Sequence, residues 1–213
     1  FMVYALGIKE ALPLLIIPSI TSNLIVMRDV GKFRPTVSRF RWLYLAVVPG
    51  GMSGLWLLNW LDPIISSAVL GIALIMYCVI AWLQPDFRLS RRIAKLLEIP
   101  VGFATGLING VTGSQVMPVL PFLLSLHLER NWFIQAINIS FTLSSLVMAI
   151  GLWKLGLMTL ESVQVSLLGL VVVFIGVRFG SHARHWLSPA AFRSTVLIIL
   201  TALGGGLIIR LVL

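Results

Sequence analysis

The 213-residue chain is 59% hydrophobic and only 11% charged, with a mean hydropathy of +1.03 and a formal net charge of +9. Soluble domains run at roughly 45–50% apolar and 25% charged, so the composition excludes a water-soluble globule. The positive charge does not point to nucleic acid either, because the cations are gathered into short segments between apolar runs.

A membrane-crossing helix needs about 20 mostly apolar residues. The sequence offers six full spans, at 11–27, 42–58, 64–83, 132–152, 162–179 and 191–213, and one interrupted span at 99–126. The expected fold is therefore all-α: a polytopic integral membrane protein of one membrane domain.

In the first span, Ser19 and Asn23 are four residues apart and share a helical face. The following loop, 28–41, carries Arg28, Lys32, Arg34, Arg39 and Arg41. Short basic loops next to spans mark the cytoplasmic side and attract anionic headgroups. The second span contains Gly50 and Gly54, spaced for close helix packing. A short turn, Asn59–Asp62, should lie outside. The third span holds the lone cysteine, Cys78, which reads as a small apolar residue with no internal disulfide partner. A second basic connector, 84–97, carries Arg88, Arg91, Arg92 and Lys95 and should be cytoplasmic like the first.

The segment 102–121 reads G-F-A-T-G-L-I-N-G-V-T-G-S-Q-V-M-P-V-L-P. Gly102, Gly106 and Gly110 fall on one face and permit a neighbouring backbone to come close. Gly113, Ser114 and Gln115 then interrupt the helix, and Pro118 and Pro121 disfavour regular bonding beyond. Broken backbone inside a membrane survives only where protein buries it or where it lines a wet cavity, and such breaks point to transporter binding sites. A helix restarting near Val116 would aim N–H groups at the break. Asn109, Thr112, Ser114 and Gln115 would add neutral donors suited to an anion held reversibly.

The next span has Asn138, Thr142 and Ser145 on one stripe and Ser140 and Ser144 on another. The sixth carries Gly176 and Gly180, and His182 and His185 follow without a third ligand, so no metal site is expected. All seven acidic residues (Glu10, Asp29, Asp62, Asp86, Glu98, Glu129 and Glu161) read as helix ends or loops. No mid-span carboxylate, P-loop, dinucleotide fingerprint or catalytic triad is evident, so no enzyme and no cofactor is expected.

An internal repeat organises these elements. At an offset of 121, Ser19, Thr21, Val26 and Met27 match Ser140, Thr142, Val147 and Met148. At an offset of 126, Gly50, Gly54, Trp60, Leu61 and Pro63 match Gly176, Gly180, Trp186, Leu187 and Pro189. The chain divides into a first repeat at 1–84, a basic connector at 85–97 and a second repeat at 98–213, the first repeat lacking its own copy of the broken element.

The order G-x3-G-x3-G-x-T-G-x4-P from Gly102 to Pro118, followed by an apolar segment, a short polar turn and a helix rich in Ser and Thr, resembles the sulfite exporter TauE/SafE family. Leu6-Gly7-Ile8-Lys9-Glu10-Ala11 is similar to the turn that follows the family's first glycine-rich element. The chain departs from the pattern at Ser114 and Gln115, where further glycine is common. The resemblance implies two homologous halves and a secondary transporter or exporter of sulfite, organosulfonates or related oxyanions in the cell membrane. The competing reading is a non-transporting assembly or accessory protein that uses its glycine stripes for helix pairing.

The expected substrate-binding set is thus Ser19, Asn23, Asn109, Thr112, Gly113, Ser114, Gln115, Asn138 and Thr142. Expected partners are the lipid bilayer and a small anion, not nucleic acid, with a homo-oligomer left open. One straight helix over 99–126 would run roughly 42 Å, longer than the roughly 30 Å hydrocarbon core. A re-entrant hairpin would invert the two repeats and place 13 of 16 Lys/Arg inside, against 11 for a single crossing. The hairpin is the expected arrangement.

Overall fold

A computed structural model describes residues 2–83, 88–183 and 189–209. In chain order these form α1 (Met2–Leu6), α2 (Ile8–Val30), α3 (Phe33–Arg39), α4 (Arg41–Trp60), α5 (Pro63–Leu83), α6 (Arg91–Thr112), α7 (Val119–Ser125), α8 (Arg130–Lys154), α9 (Leu160–Ala183) and α10 (Pro189–Ile209). Among the described residues every regular element is helical. Three of them, α2, α5 and α8, combine span length with high mean hydropathy. The six full spans expected from the sequence appear as α2, α4, α5, α8, α9 and α10.

Large apolar side chains cover the outside as well as the inside, as expected where the solvent is hydrocarbon. Leu45, Met52, Leu83, Leu168 and Val172 are all exposed. Exposed tryptophans bracket the bundle: Trp42 and Trp82 near one end, Trp56, Trp60 and Trp153 near the other. Indole rings favour the two bilayer interfaces, so the arrangement marks the membrane boundaries.

The tightest pairing is α4 with α6, which run parallel. A Cβ built on Gly102 would strike the Leu43 carbonyl, one on Gly106 the Val47 carbonyl, and one on Gly50 the Phe103 carbonyl. Gly54 and Gly110 meet each other in the same way. The glycine stripes expected to mediate packing therefore interlock within the chain, backbone against backbone. Gly176 and Gly180 lie where α9's surroundings are outside the described residues. A second small-residue crossing joins α5 to α10, where a Cβ on Gly71 would meet the Gly204 carbonyl. Cys78 fills the same interface, 1% exposed, with its Sγ 3.6 Å from the Leu197 carbonyl.

The interrupted span is a hairpin. Ser90 caps α6 by accepting the Ile93 N–H at 3.4 Å. The helix ends at Gly113, whose φ of +73° is a left-handed value that favours glycine. The chain then reverses through Ser114–Pro118 into α7, whose last residues return to the start of α6: the Leu89 N–H donates to the Ser125 carbonyl at 3.1 Å. Both ends of the element thus lie at one face. Lys32, beyond the end of α2, pairs there with Glu129 at the start of α8 at 3.5 Å. Its backbone N–H also donates to Gln135 Oε1 at 3.3 Å. The basic segments and the 127–131 turn accordingly share one face, the basic face.

Three sequence expectations need correction. The 28–41 loop is mostly helical, because α2 runs on to Val30, α3 covers Phe33–Arg39 and α4 starts at Arg41. The 84–97 connector is not wholly a loop, because α6 starts at Arg91 and takes in Arg92, Lys95 and Glu98. Glu98 is consequently not a helix-end carboxylate but lies two turns inside α6, 6% exposed. The reason is the Ser90 cap, which starts the helix before the apolar run begins.

Candidate functional site

The reversal after α6 opens a cavity of about 470 Å3, within the roughly 300–1,000 Å3 range of small-ligand pockets. Its walls come from α2 (Leu12, Ile16, Ser19, Ser22), the end of α6 and the break (Asn109, Gly113, Ser114, Gln115) and α8 (Phe141, Ser145, Met148). The antiparallel pairing of α2 with α8 brings these groups together. Ser19 Oγ and Ser145 Oγ are 3.2 Å apart, and Gln115 Nε2 donates to Ser145 Oγ at 2.6 Å. A polar chain Gln115–Ser145–Ser19 therefore runs along the wall of a cavity with no charged side chain in its lining.

Asn109 adds to this wall. Its amide donates to the Ser144 carbonyl at 3.2 Å, yet its Oδ1 is buried with no partner. Leaving a buried polar atom unpaired costs about 1–3 kcal/mol, so a group that supplied a hydrogen bond here would be stabilised.

The structure separates the expected site residues into two groups. Ser19, Asn109, Gly113, Ser114 and Gln115 line the cavity. Thr112, Asn138, Thr142 and Asn23 do not. Thr112 Oγ1 donates to the Ile108 carbonyl at 2.6 Å and accepts the Ser114 N–H at 3.1 Å, which makes it the closing brace of α6. Asn138 donates to the Ile134 carbonyl at 2.7 Å and Thr142 to the Asn138 carbonyl at 2.8 Å, the usual back-bonding of intramembrane polar side chains. Asn23 is buried, with its Nδ2 unpartnered.

The expected helix restart near Val116 is also displaced. The first helical residue is Val119, and the Leu120 N–H is already bonded to the Val116 carbonyl at 3.0 Å. Seven residues of helix contribute little dipole, so the polar character of the site comes from side chains. Ser22 and Ser145 join the site although sequence reasoning did not place them there. Ser145 stood on a noted polar stripe, but nothing local to it signals that Gln115 lies opposite. Among the described residues no cluster of His, Cys, Asp or Glu could hold a metal. His182 and His185 lie outside the residues whose side chains are described.

Comparison with known proteins gives one match: the family model described as Sulfite exporter TauE/SafE covers residues 1–207. No curated protein matches the chain, and no solved structure does.

Proposed function

The chain belongs to the sulfite exporter TauE/SafE family, and on that premise we propose that it is a secondary transporter that exports small oxidised-sulfur anions, sulfite or organosulfonates, through the cavity at the α6–α7 break. The observation that carries this reading is the Gln115–Ser145–Ser19 chain on the wall of one membrane-embedded cavity, which Asn109 and Ser114 also line. Neutral amides and hydroxyls stabilise an oxyanion by several modest hydrogen bonds and release it without breaking an ion pair. That balance suits a ligand that must leave on the far side.

The accessory-protein reading loses its main support. It rests on glycine stripes pairing helices, and Gly50, Gly54, Gly102, Gly106 and Gly110 are engaged within the chain by the α4–α6 pair, which leaves Gly176 and Gly180 outside that pair. We place the protein in the cell membrane with the basic face cytoplasmic, on the charge rule. The repeats read as inverted. Gly71 packs on Gly204 and Cys78 on Leu197. At the 126 offset Gly71 corresponds to Leu197 and Cys78 to Gly204, so the two contacts exchange as a two-fold axis in the membrane plane would require.

The test is flux of labelled sulfite and of a labelled alkyl sulfonate in vesicles carrying the protein. Gln115→Leu should lower flux at least about ten-fold, the equivalent of about 1.4 kcal/mol, while insertion and thermal unfolding stay as in the parent. Undiminished flux in a folded Gln115→Leu variant would overturn the site.

A further inference from the structure

At the basic face a different set of groups converges. Two cavities of about 670 and 650 Å3 share a wall made by Arg39, Lys95 and Glu98. One is also lined by Arg91 and His127, and the other by Arg41. The Arg39 guanidinium is held in place by the Phe40 and Trp132 rings, at 5.2 and 5.4 Å from their centroids. In the middle lies Glu98, 6% exposed. The only ion pair within 4.0 Å among the described residues is Lys32–Glu129, so Glu98 is surrounded by cations without a contact ion pair to any of them.

Four cations, set against the buried Glu98 and against Glu129, which Lys32 pairs, leave a surplus of positive charge in a walled space, which suits an oxyanion. A charged Glu98 opposes that anion, and a protonated Glu98 does not. We propose that this mouth is a second anion-binding site, taking a sulfate- or phosphate-type oxyanion, and that Glu98 gates it by exchanging a proton as the anion binds or leaves.

The sign follows from linkage. Binding of the anion and of the proton to Glu98 favour each other, so affinity rises as pH falls and anion binding draws a proton in. Other groups facing the same space are the cations Arg39, Arg41, Arg91 and Lys95, together with His127 and Glu129. Tyr44, on the α4 side, is engaged by the Ala136 carbonyl at 3.2 Å. The mid-membrane cavity has no titratable side chain in its lining, so binding there of an anion of constant charge, such as sulfate, is insensitive to pH.

The experiment uses sulfate, whose charge is constant over the range, and the full chain in nanodiscs of neutral lipid at pH 5.5 and 8. Parent protein should bind sulfate about ten-fold more tightly at pH 5.5. Glu98→Gln should bind equally at both, near the tighter value. His127→Gln and Glu129→Gln should keep the pH response, and Arg39→Gln should lose the pH-dependent component. Adding sulfate to the parent in weak buffer should take up protons, a readout that needs no variant. Repeating the titration in discs with anionic phospholipid separates the sources: retained binding assigns the site to a free anion, and competition assigns it to a lipid phosphate. A pH-independent parent without proton uptake, or an unchanged pH response in Glu98→Gln, would overturn the proposal.

Discussion

Thr112 and Gln115 are three residues apart, and the structure gives them different work. The Gln115 amide reaches across to α8, whereas the Thr112 hydroxyl is used up on the backbone of its own helix end. Thr112→Val should therefore act on stability rather than on substrate handling. Loss of the two hydrogen bonds should cost about 1 kcal/mol and lower the unfolding temperature in detergent by a few degrees, with the KM for anion unchanged. A large KM change with an unaltered melt would return Thr112 to the binding set. Ser145→Ala tests the other half of the polar chain. It leaves the Gln115 amide without its 2.6 Å partner and should reduce flux several-fold. The break itself was legible from Gly113, Ser114, Gln115 and Pro118. Which hydroxyl meets Gln115 was not, because that depends on how the α6–α7 break is set against α8.

At the scale of elements, the α4–α6 pair carries the hairpin. Its two glycine stripes leave no room for a methyl group, since a Cβ on Gly106 would fall on the Val47 carbonyl and within 2.6 Å of the Gly51 nitrogen. Backbone cannot swing aside as a flexible side chain can. Gly106→Ala alone should cost about 1–3 kcal/mol of overpacking, seen as a lower melting temperature in detergent. Gly205→Ala, on α10, is the matched control, because nothing lies within 4 Å of its added Cβ. Equal melting of the two variants would show that the α4–α6 contact does not limit stability. The spacing of Gly102, Gly106 and Gly110 announced a packing face. The identity of its partner was hidden, since Gly50 and Gly54 belong to a helix joined to α6 only through α5 and the segment after it. The Gly71–Gly204 crossing went unseen for a related reason: Gly71 stands alone in α5 and Gly204 opens the run 204–206, so neither forms a stripe at helical spacing.

For the whole molecule, the hairpin decides the direction of everything after it. With α7 returning to Leu89, α8 starts at the basic face and runs opposite to α2. A single reporter checks this in a membrane. In a Cys78→Ala background, Glu129→Cys should be protected from an impermeant thiol reagent in intact cells and labelled once the membrane is opened. Alanine suits the Cys78 position, which is small and enclosed between α5 and α10. Labelling of intact cells would place the basic face outside and reverse the proposed orientation.

Composition and the run lengths of apolar residues were enough to determine a helical membrane protein, because hydrocarbon leaves a chain no way to satisfy its backbone except helices or closed barrels. The glycine-rich motif likewise marked the family and the place where a helix must stop, since Gly113 acts on its own backbone, whereas Pro121, expected to break the helix, lies in the first turn of α7. Tertiary structure alone decided which polar side chains face the cavity, and moved Asn138, Thr142 and Thr112 out of it. It also turned Glu98 from a helix-end residue into a buried carboxylate among cations. Polar groups four residues apart share a helical face in any sequence, but the neighbour that face meets is set by how distant helices pack. That information lies in the summed contacts of the chain and in no single segment of it.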